Sequence, residues 1–290
     1  MANSETIVVT GATGQLGRLV VEQLRAAAPG AHIVALARKP ESAADLAAQG
    51  VEVRAADYAK PETLAAAFAE ADKVLLISSS EVGQRFPQHR NVIEAAKAAG
   101  VKLLAYTSLL RADVSPMNLA VEHRQTEDLL RTSGLPHAVL RNGWYTENYI
   151  AGLGTALEHG AVLGAAGSGR ISSAARADYA AAAVAVLTAA ADQAGKVYEL
   201  AGDTSYTLAD YAAEIARQSG KPVVYNDLPE AAYRDILLGA GLPDFLADLL
   251  AESDAKAAGG ALYDAGGALG RLIGRPTTPL AASVAAALAA

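Results

Sequence analysis

Three glycines near the start of the chain, Gly11, Gly14 and Gly17, have the type and spacing of a phosphate-binding loop. The β-branched run at residues 7–9 predicts a buried strand before them, and residues 15–26 predict a helix after them. The first glycine permits a tight turn, the second lets the backbone approach a diphosphate, and the third lets the helix pack closely. The first helical turn would present unpaired N–H groups to an anion. The pattern indicates a nucleotide diphosphate site, with a ligand-free turn as the alternative.

The next predicted strand indicates whether a nucleotide binds and which nucleotide it is. Residues 32–37 complete a strand–helix–strand unit of about 30 residues, which favours nucleotide binding over the ligand-free turn. An NAD-selective site usually has an acidic residue near the end of this strand, but residues 33–40 contain none. Arg38 can instead bind a phosphate through its planar guanidinium, and Lys39 adds a second positive charge. The sequence therefore predicts NADP (NADPH) as cofactor; the alternative is an ordinary exposed basic loop.

A cluster of hydroxyl side chains follows the apolar strand predicted at residues 74–77. It reads Ser78-Ser-Ser-Glu-Val-Gly83. Because ligands of parallel sheets bind beyond the carboxyl ends of the strands, we expect this cluster to face the ribose and nicotinamide of the cofactor.

The elements that must position these residues alternate between strand and helix through residue 142. This alternation predicts an α/β fold, a doubly wound parallel sheet of the Rossmann, NAD(P)-binding type. We expect residues 1–142 to form the NADP-binding domain. Residues 143–290 should form mainly a smaller C-terminal α+β substrate lobe, with segments that return to the sheet. In that part we predict helices at residues 145–159 and 179–191. Within the NADP-binding domain we also predict helices at about residues 88–99 and 120–133.

Composition excludes several other kinds of protein. The chain has 290 residues and no cysteine, which excludes disulfides, thiolate metal sites and a cysteine nucleophile and agrees with a cytoplasmic location. The formal net charge of −7 argues against nucleic acid as a partner. We find no apolar run long enough for membrane insertion, and no metal-binding motif.

The sequence lacks the tyrosine–lysine pair that transfers protons in ordinary carbonyl reductases. Those enzymes use Tyr-x-x-x-Lys, in which the lysine lowers the tyrosine pKa. None of the 11 tyrosines has a lysine four residues later, and there is no lysine between Lys102 and Lys196. Reduction of a ketone creates a strongly basic alkoxide that needs a positioned acid, whereas reduction of a quinone gives a weaker, resonance-stabilised base. A dinucleotide site without this pair therefore suits quinones better than ketones.

Five longer segments of the sequence carry a family resemblance. They are Gly11-Ala-Thr-Gly-Gln-Leu-Gly17, Ser78-Ser-Ser-Glu-Val-Gly-Gln-Arg85, Tyr106-Thr-Ser-Leu-Leu110, Leu140-Arg-Asn-Gly-Trp-Tyr-Thr-Glu-Asn148 and Arg176-Ala-Asp-Tyr179. These segments resemble the NmrA-like atypical short-chain dehydrogenase/reductase family, in particular its bacterial type-2 NAD(P)H:quinone oxidoreductases. The resemblance implies an enzyme that transfers hydride from NADPH to a small-molecule quinone. A non-catalytic NADP-binding redox sensor of the NmrA type is the alternative. Homo-oligomer formation is left open.

The resemblance also implies the roles of individual residues. Gly11, Ala12, Thr13, Gly14, Gln15, Leu16 and Arg38 would bind the phosphates and adenosine end of the cofactor. Ser80, Glu81 and Val82 would line the ribose–nicotinamide region, and Gly143, Trp144, Tyr145, Thr146, Glu147 and Asn148 would lie beside the nicotinamide and the quinone. Asn148 would polarise a quinone oxygen and Tyr145 would flank the ring, as the two catalytic residues. Core packing is the alternative for Trp144, Tyr145 and Tyr149.

Overall fold

The fold is built on a seven-stranded sheet, and the computed structural model describes residues 4–289. In chain order the strands are β1 (Thr6–Val9), β2 (His32–Ala37), β3 (Glu52–Ala55), β4 (Lys73–Leu76), β5 (Leu103–Leu109), β6 (His137–Asn142), β7 (Ala161–Gly164), β8 (Val197–Leu200) and β9 (Val224–Asp227). The large sheet has the order β3-β2-β1-β4-β5-β6-β8, and each neighbouring pair from β3 to β6 is parallel. This order confirms the predicted doubly wound α/β fold.

Helices follow most of these strands. They are α1 (Gln15–Ala27), α2 (Ala44–Ala48), α3 (Pro61–Ala67), α4 (Arg85–Ala98), α5 (Ala120–Ser133), α6 (Thr146–Ile150), α7 (Leu153–His159), α8 (Arg176–Thr188), α9 (Leu208–Ser219), α10 (Glu230–Gly239), α11 (Asp244–Ala258), α12 (Ala268–Ile273) and α13 (Leu280–Ala289). A short 3-10 turn, Pro40–Ala43, precedes α2. Because β1 is buried along its whole length and carries only Thr, Ile and Val, it forms a fixed support for the loop that follows it.

Three predicted helices differ from the observed ones. A single helix was predicted at residues 145–159, but the structure has two helices, α6 and α7. They are separated at Ala151 and Gly152, and glycine has a lower helix propensity than most other residues. Helix α8 begins at Arg176, three residues before the predicted start at residue 179. Helix α4 begins at Arg85 and not near residue 88, because Pro87 lies in its first turn, where a missing N–H costs no hydrogen bond.

The chain is divided into two compact units. The first contains the residues up to Ala112, Val121–Asn142 and Arg176–Glu199, and the second contains Asp113–Ala120, Gly143–Ala175 and the residues from Leu200 onward. The first unit holds β1–β6 with α1–α5 and α8, so that α8 is a later segment belonging to the same unit as the sheet. Between residues 4 and 289, no helix has both the length and the apolarity needed to span a bilayer.

The second unit has its own small parallel sheet, in which β7 pairs with β9. Its helix α9 begins with a reciprocal cap. The Thr207 hydroxyl accepts from the Asp210 N–H at 3.1 Å, and the Asp210 carboxylate accepts from the Thr207 N–H at 2.8 Å. This arrangement satisfies two backbone donors that a helix N-terminus otherwise leaves unpaired.

Candidate functional site

A cavity of about 260 Å³ opens at the carboxyl ends of β1, β2, β3 and β4, within the first unit. Its lining residues are Gly11, Thr13, Gly14, Leu36, Ala37, Arg38, Ala56, Asp57, Tyr58, Ile77, Ser78, Ser79, Ser80, Glu81 and Gln88. The strand order reverses between β1 and β4, which is where open parallel sheets bind their ligands.

The glycine loop has the geometry that a diphosphate needs. Gly11 has φ of +58°, a conformation that favours glycine. A Cβ atom on Gly17 would lie 2.3 Å from the Gly11 carbonyl oxygen, so only glycine lets α1 start this close to the loop. Gly14 precedes α1 as its N-cap and offers no side-chain acceptor to the first helical turn. The loop therefore leaves helix N–H groups for an anion, and its residues fit a dinucleotide.

The predicted loop residues do not all face the cavity. Gly11, Thr13 and Gly14 line it. The side chains of Ala12 and Leu16 are buried, and the Ala12 N–H donates to the Leu36 carbonyl at 3.2 Å. Gln15 is exposed and begins α1 outside the cavity lining. A ligand in the cavity could thus be held by backbone groups more than by side chains of this loop.

Arg38 lies at the rim of the cavity and its side chain is 70% exposed. Its Nη1 forms an ion pair with Oε1 of Glu81 at 3.0 Å. The other carboxylate oxygen of Glu81 accepts from Nε2 of Gln88 at 2.7 Å. The structure thus brings together two predicted site residues, one after β2 and one after β4, and adds Gln88 to them.

The serine cluster supplies three lining residues, and backbone hydrogen bonds fix its position. The Ser78 N–H donates to the Thr107 hydroxyl at 2.9 Å, and the Glu81 N–H donates to Oγ of Ser79 at 3.1 Å. Ser80 also lines the cavity. Val82 is exposed and lies outside the lining.

Tyr58 is a lining residue that sequence analysis missed. Its hydroxyl donates to the Ile77 carbonyl at 3.0 Å and is also hydrogen-bonded to the Thr10 hydroxyl, which ties together the ends of β1, β3 and β4. Burial raises the pKa of Tyr58, so the phenol stays neutral. The available signal was its position directly after Asp57 at the end of the third strand.

The remaining predicted residues, 143–148, belong to the second unit. Trp144 is buried, and its carbonyl accepts from the Ala174 N–H at 3.1 Å, while the Thr146 N–H donates to the Ala174 carbonyl at 3.0 Å. The Thr146 hydroxyl is bonded to Oγ of Ser173 at 2.8 Å. The segment is therefore extended at residues 144–146 and then enters α6, with Tyr145, Glu147 and Asn148 partly exposed.

No cluster of three or more metal-ligating side chains occurs in the described part of the chain. The parallel sheet, its reversed strand order and the glycine loop at the cavity define a dinucleotide-binding protein of the Rossmann type. The chain belongs to the NAD(P)H-binding family, whose model matches residues 11–190.

Similar proteins cover nearly the whole chain. The chain is 58% identical over 278 residues to quinone oxidoreductase 2 of Escherichia coli strain K12, covering 96% of this chain and 97% of that protein. The crystal structure of the Escherichia coli NADPH-dependent quinone oxidoreductase complexed with NADPH superposes with a TM-score of 0.94 at 57% identity, covering 97% of this chain and 99% of that one. The triphenylmethane reductase of Citrobacter sp. complexed with NADP(H) has a TM-score of 0.93 at 39% identity, covering 97% and 99%.

Proposed function

We propose that this protein is an NADPH-dependent quinone oxidoreductase that reduces quinones by two electrons. The observation that carries the proposal is a cavity at the sheet reversal with Arg38 at its rim, in a chain closely similar over its length to an NADPH-dependent quinone oxidoreductase. Both relatives described above, from Escherichia coli and from Citrobacter sp., have enzyme names, which favours a catalyst over a non-catalytic redox sensor.

We propose a role in cofactor binding for each part of the cavity lining. Gly11, Thr13 and Gly14 would hold the diphosphate through the loop and the first turn of α1. Arg38 would bind the 2′-phosphate through its guanidinium, which presents paired N–H donors to a phosphate. Ser78, Ser79 and Ser80 would offer hydroxyl and backbone groups to a ribose.

The bound cofactor supplies the electron pair as hydride from its nicotinamide. The protein's part is to bind the two reactants in a productive orientation and to exclude water. We propose that the Gly143–Asn148 segment contacts the nicotinamide and the quinone, with the Asn148 amide donating a hydrogen bond to a quinone oxygen and Tyr145 flanking the ring. Water can protonate the reduced product, because its two oxygens share the charge over the ring.

Turnover with a simple quinone tests the proposal. The purified protein is mixed with NADPH and p-benzoquinone, and NADPH consumption is followed by absorbance. We expect consumption at least about tenfold above the uncatalysed rate, and slower consumption when NADH replaces NADPH. NADPH binding without turnover of p-benzoquinone would contradict the quinone reductase and would favour the sensor. Turnover with an azo or triphenylmethane dye but not with the quinone would assign a different acceptor to the same site.

We further propose that the reaction takes place in the cytoplasm with a small-molecule quinone as partner. The absence of cysteine supports this location, because a thiol-free chain needs no oxidising compartment to reach its native state. Fluorescence microscopy of a tagged full chain tests it, and a signal confined to the cell envelope would contradict it.

A further inference from the structure

One face of helix α4 holds the backbone of a cavity-lining serine. The N–H of Ser79 donates to Nε2 of His89 at 2.9 Å, and the Ser79 carbonyl accepts from Nε of Arg85 at 2.6 Å. Arg85 and His89 are four residues apart, so they lie on the same face of the helix, one turn apart. Two side chains therefore satisfy both backbone polar groups of Ser79, which lies outside any strand or helix.

The hydrogen bonds of His89 require one particular protonation state. Because Nε2 accepts from the Ser79 N–H, it carries no proton, and the proton of the neutral ring lies on Nδ1. Nδ1 then donates to the Thr126 hydroxyl at 3.0 Å, and that hydroxyl donates in turn to the Glu122 carbonyl at 2.8 Å. His89 is completely buried, and burial together with the nearby charge of Arg85 lowers its pKa to about 3. The ring is thus held as an acceptor toward Ser79.

Burial of the Arg85 side chain beside Ser79 costs stability. Its side chain is buried, and its Nη1 has no hydrogen-bond partner among residues 4–289. A buried unsatisfied donor is destabilising and calls for a reason other than stability. The carboxylate of Glu122 fixes the start of α4, because it accepts from the N–H groups of Gly83 at 2.8 Å and Phe86 at 3.0 Å. This cap orients Arg85 toward Ser79.

The held backbone continues directly to the rim of the cavity. Oγ of Ser79 accepts from the Glu81 N–H, and the Glu81 carboxylate pairs with Arg38 and with Gln88 from the same face of α4. A chain of contacts thus runs from the buried face of α4 through Ser79 and Glu81 to the Arg38 guanidinium. Arg85 and His89 lie outside the cavity lining.

We propose that Arg85 and His89 are positioning residues for cofactor selectivity: they hold the Ser79 backbone and, through Glu81, place the Arg38 guanidinium for the 2′-phosphate of NADPH. The proposal rests on the proposed function for the role of Arg38. It assigns discrimination between NADPH and NADH partly to two buried residues that do not line the cavity.

Substitution of His89 tests the proposal. His89→Phe keeps the ring and removes the acceptor, whereas His89→Gln keeps an acceptor oxygen for the Ser79 N–H. Dissociation constants for NADPH and NADH are measured by calorimetric titration, and exchange of the Ser79 amide hydrogen is measured by NMR in the cofactor-free protein. We expect His89→Phe to lower the NADPH-over-NADH preference about fivefold and to speed Ser79 exchange at least about tenfold, with His89→Gln within about twofold of wild type for both.

A matched control separates positioning from general damage. His123 is also buried, and its Nδ1 is bonded to the Tyr106 hydroxyl at 2.7 Å. His123→Phe makes the same chemical change and should lower thermal stability while leaving the cofactor preference unchanged. An unchanged preference in His89→Phe, or an equal loss of preference in His123→Phe, would overturn the proposal.

Two further measurements keep the test decisive. If His89→Phe does not fold, Thr126→Val removes the acceptor for Nδ1–H at nearly constant volume and should shift preference and exchange in the same direction. No shift in Thr126→Val would overturn the proposal. If wild type shows no preference for NADPH, the Arg38 assignment in the proposed function fails, and with it the selectivity role. Ser79 exchange still decides whether His89 holds the backbone.

Discussion

Nη1 of Arg38 and Oε1 of Glu81 are 3.0 Å apart, although the two residues follow different strands, β2 and β4. Both side chains are largely exposed, so the pair contributes little to the stability of the fold. Its importance is electrostatic, since the cation proposed to bind the 2′-phosphate is already engaged by a carboxylate. A bound phosphate must therefore share Arg38 with Glu81 or displace it.

Glu81→Gln should strengthen NADPH binding. Glutamine keeps an oxygen that can accept from Nη1 and hold Arg38 in place, but it removes the negative charge that competes with the 2′-phosphate. We therefore expect the NADPH dissociation constant to fall about threefold, with a smaller effect on NADH. Calorimetric titration of both cofactors measures this. Glu62→Gln, the same charge change on exposed α3, serves as control and should alter neither constant. Weaker NADPH binding in Glu81→Gln would show that the carboxylate helps to bind the cofactor.

Gly17→Ala should destabilise the protein. The added Cβ would lie 2.3 Å from the Gly11 carbonyl oxygen and 2.8 Å from Cα of Ala12, so α1 must move away from the loop. We expect a loss of about 2 kcal/mol in the free energy of unfolding, measured by urea denaturation, together with weaker NADPH binding. Gly154→Ala is the control, because an added Cβ on this exposed residue of α7 meets no atom within 4 Å. That change should be neutral or slightly stabilising.

Much of the sheet and half of the candidate site could be predicted because their signals are local. The run at residues 7–9 is buried as predicted, and β2 and α5 have the predicted bounds. The ion pair of Arg38 with Glu81 could not be predicted, because strand β1 lies between β2 and β4 in the sheet and only the folded loops bring the two side chains together.

The role of His89 was missed because the start of helix α4 was predicted incorrectly. We expected this helix at about residues 88–99, which left Arg85 outside it. The observed start at Arg85 places it one turn from His89, and only then do both side chains face Ser79. Tyr58 was missed for a different reason, since its hydrogen bonds join residues 48 and 19 positions away.

Asp254→Asn should change how stability depends on pH. Asp254 is buried on α11, where its carboxylate accepts from the Tyr149 hydroxyl at 3.0 Å and from the Ala165 N–H at 3.2 Å. Burial raises its pKa from 3.8 to about 6. The folded state therefore binds this proton more tightly than the unfolded state, and the contribution of Asp254 to stability falls as the pH rises from about 4 to about 6.

Asparagine does not titrate, so the comparison isolates this carboxyl group. We expect the free energy of unfolding of Asp254→Asn, relative to wild type, to rise by about 2 kcal/mol between pH 4 and pH 6 and to level off above about pH 7. Urea denaturation at a series of pH values measures the difference. A difference that is constant across this range would mean that Asp254 has an ordinary pKa in the folded protein.

Asn148→Ala should slow quinone reduction without loss of NADPH binding. If the Asn148 amide donates to a quinone oxygen, its removal takes away a hydrogen bond that strengthens as negative charge develops on that oxygen. We expect kcat with p-benzoquinone to fall about tenfold or more, and the NADPH dissociation constant to stay within about twofold. Steady-state kinetics and calorimetry measure the two quantities. Unchanged kcat would exclude Asn148 from the reaction.

The recognition of NADPH through Arg38 is tested by titrating wild type and Arg38→Ala with NADPH and with NADH in a calorimeter. We predict that wild type binds NADPH more tightly than NADH, and that Arg38→Ala weakens NADPH at least about tenfold while NADH changes less than about twofold. Arg90→Ala, which removes an equal charge from an exposed residue of α4 outside the cavity lining, should leave both affinities unchanged. Equal losses of NADPH and NADH in Arg38→Ala, or no NADPH binding by wild type, would contradict the 2′-phosphate site.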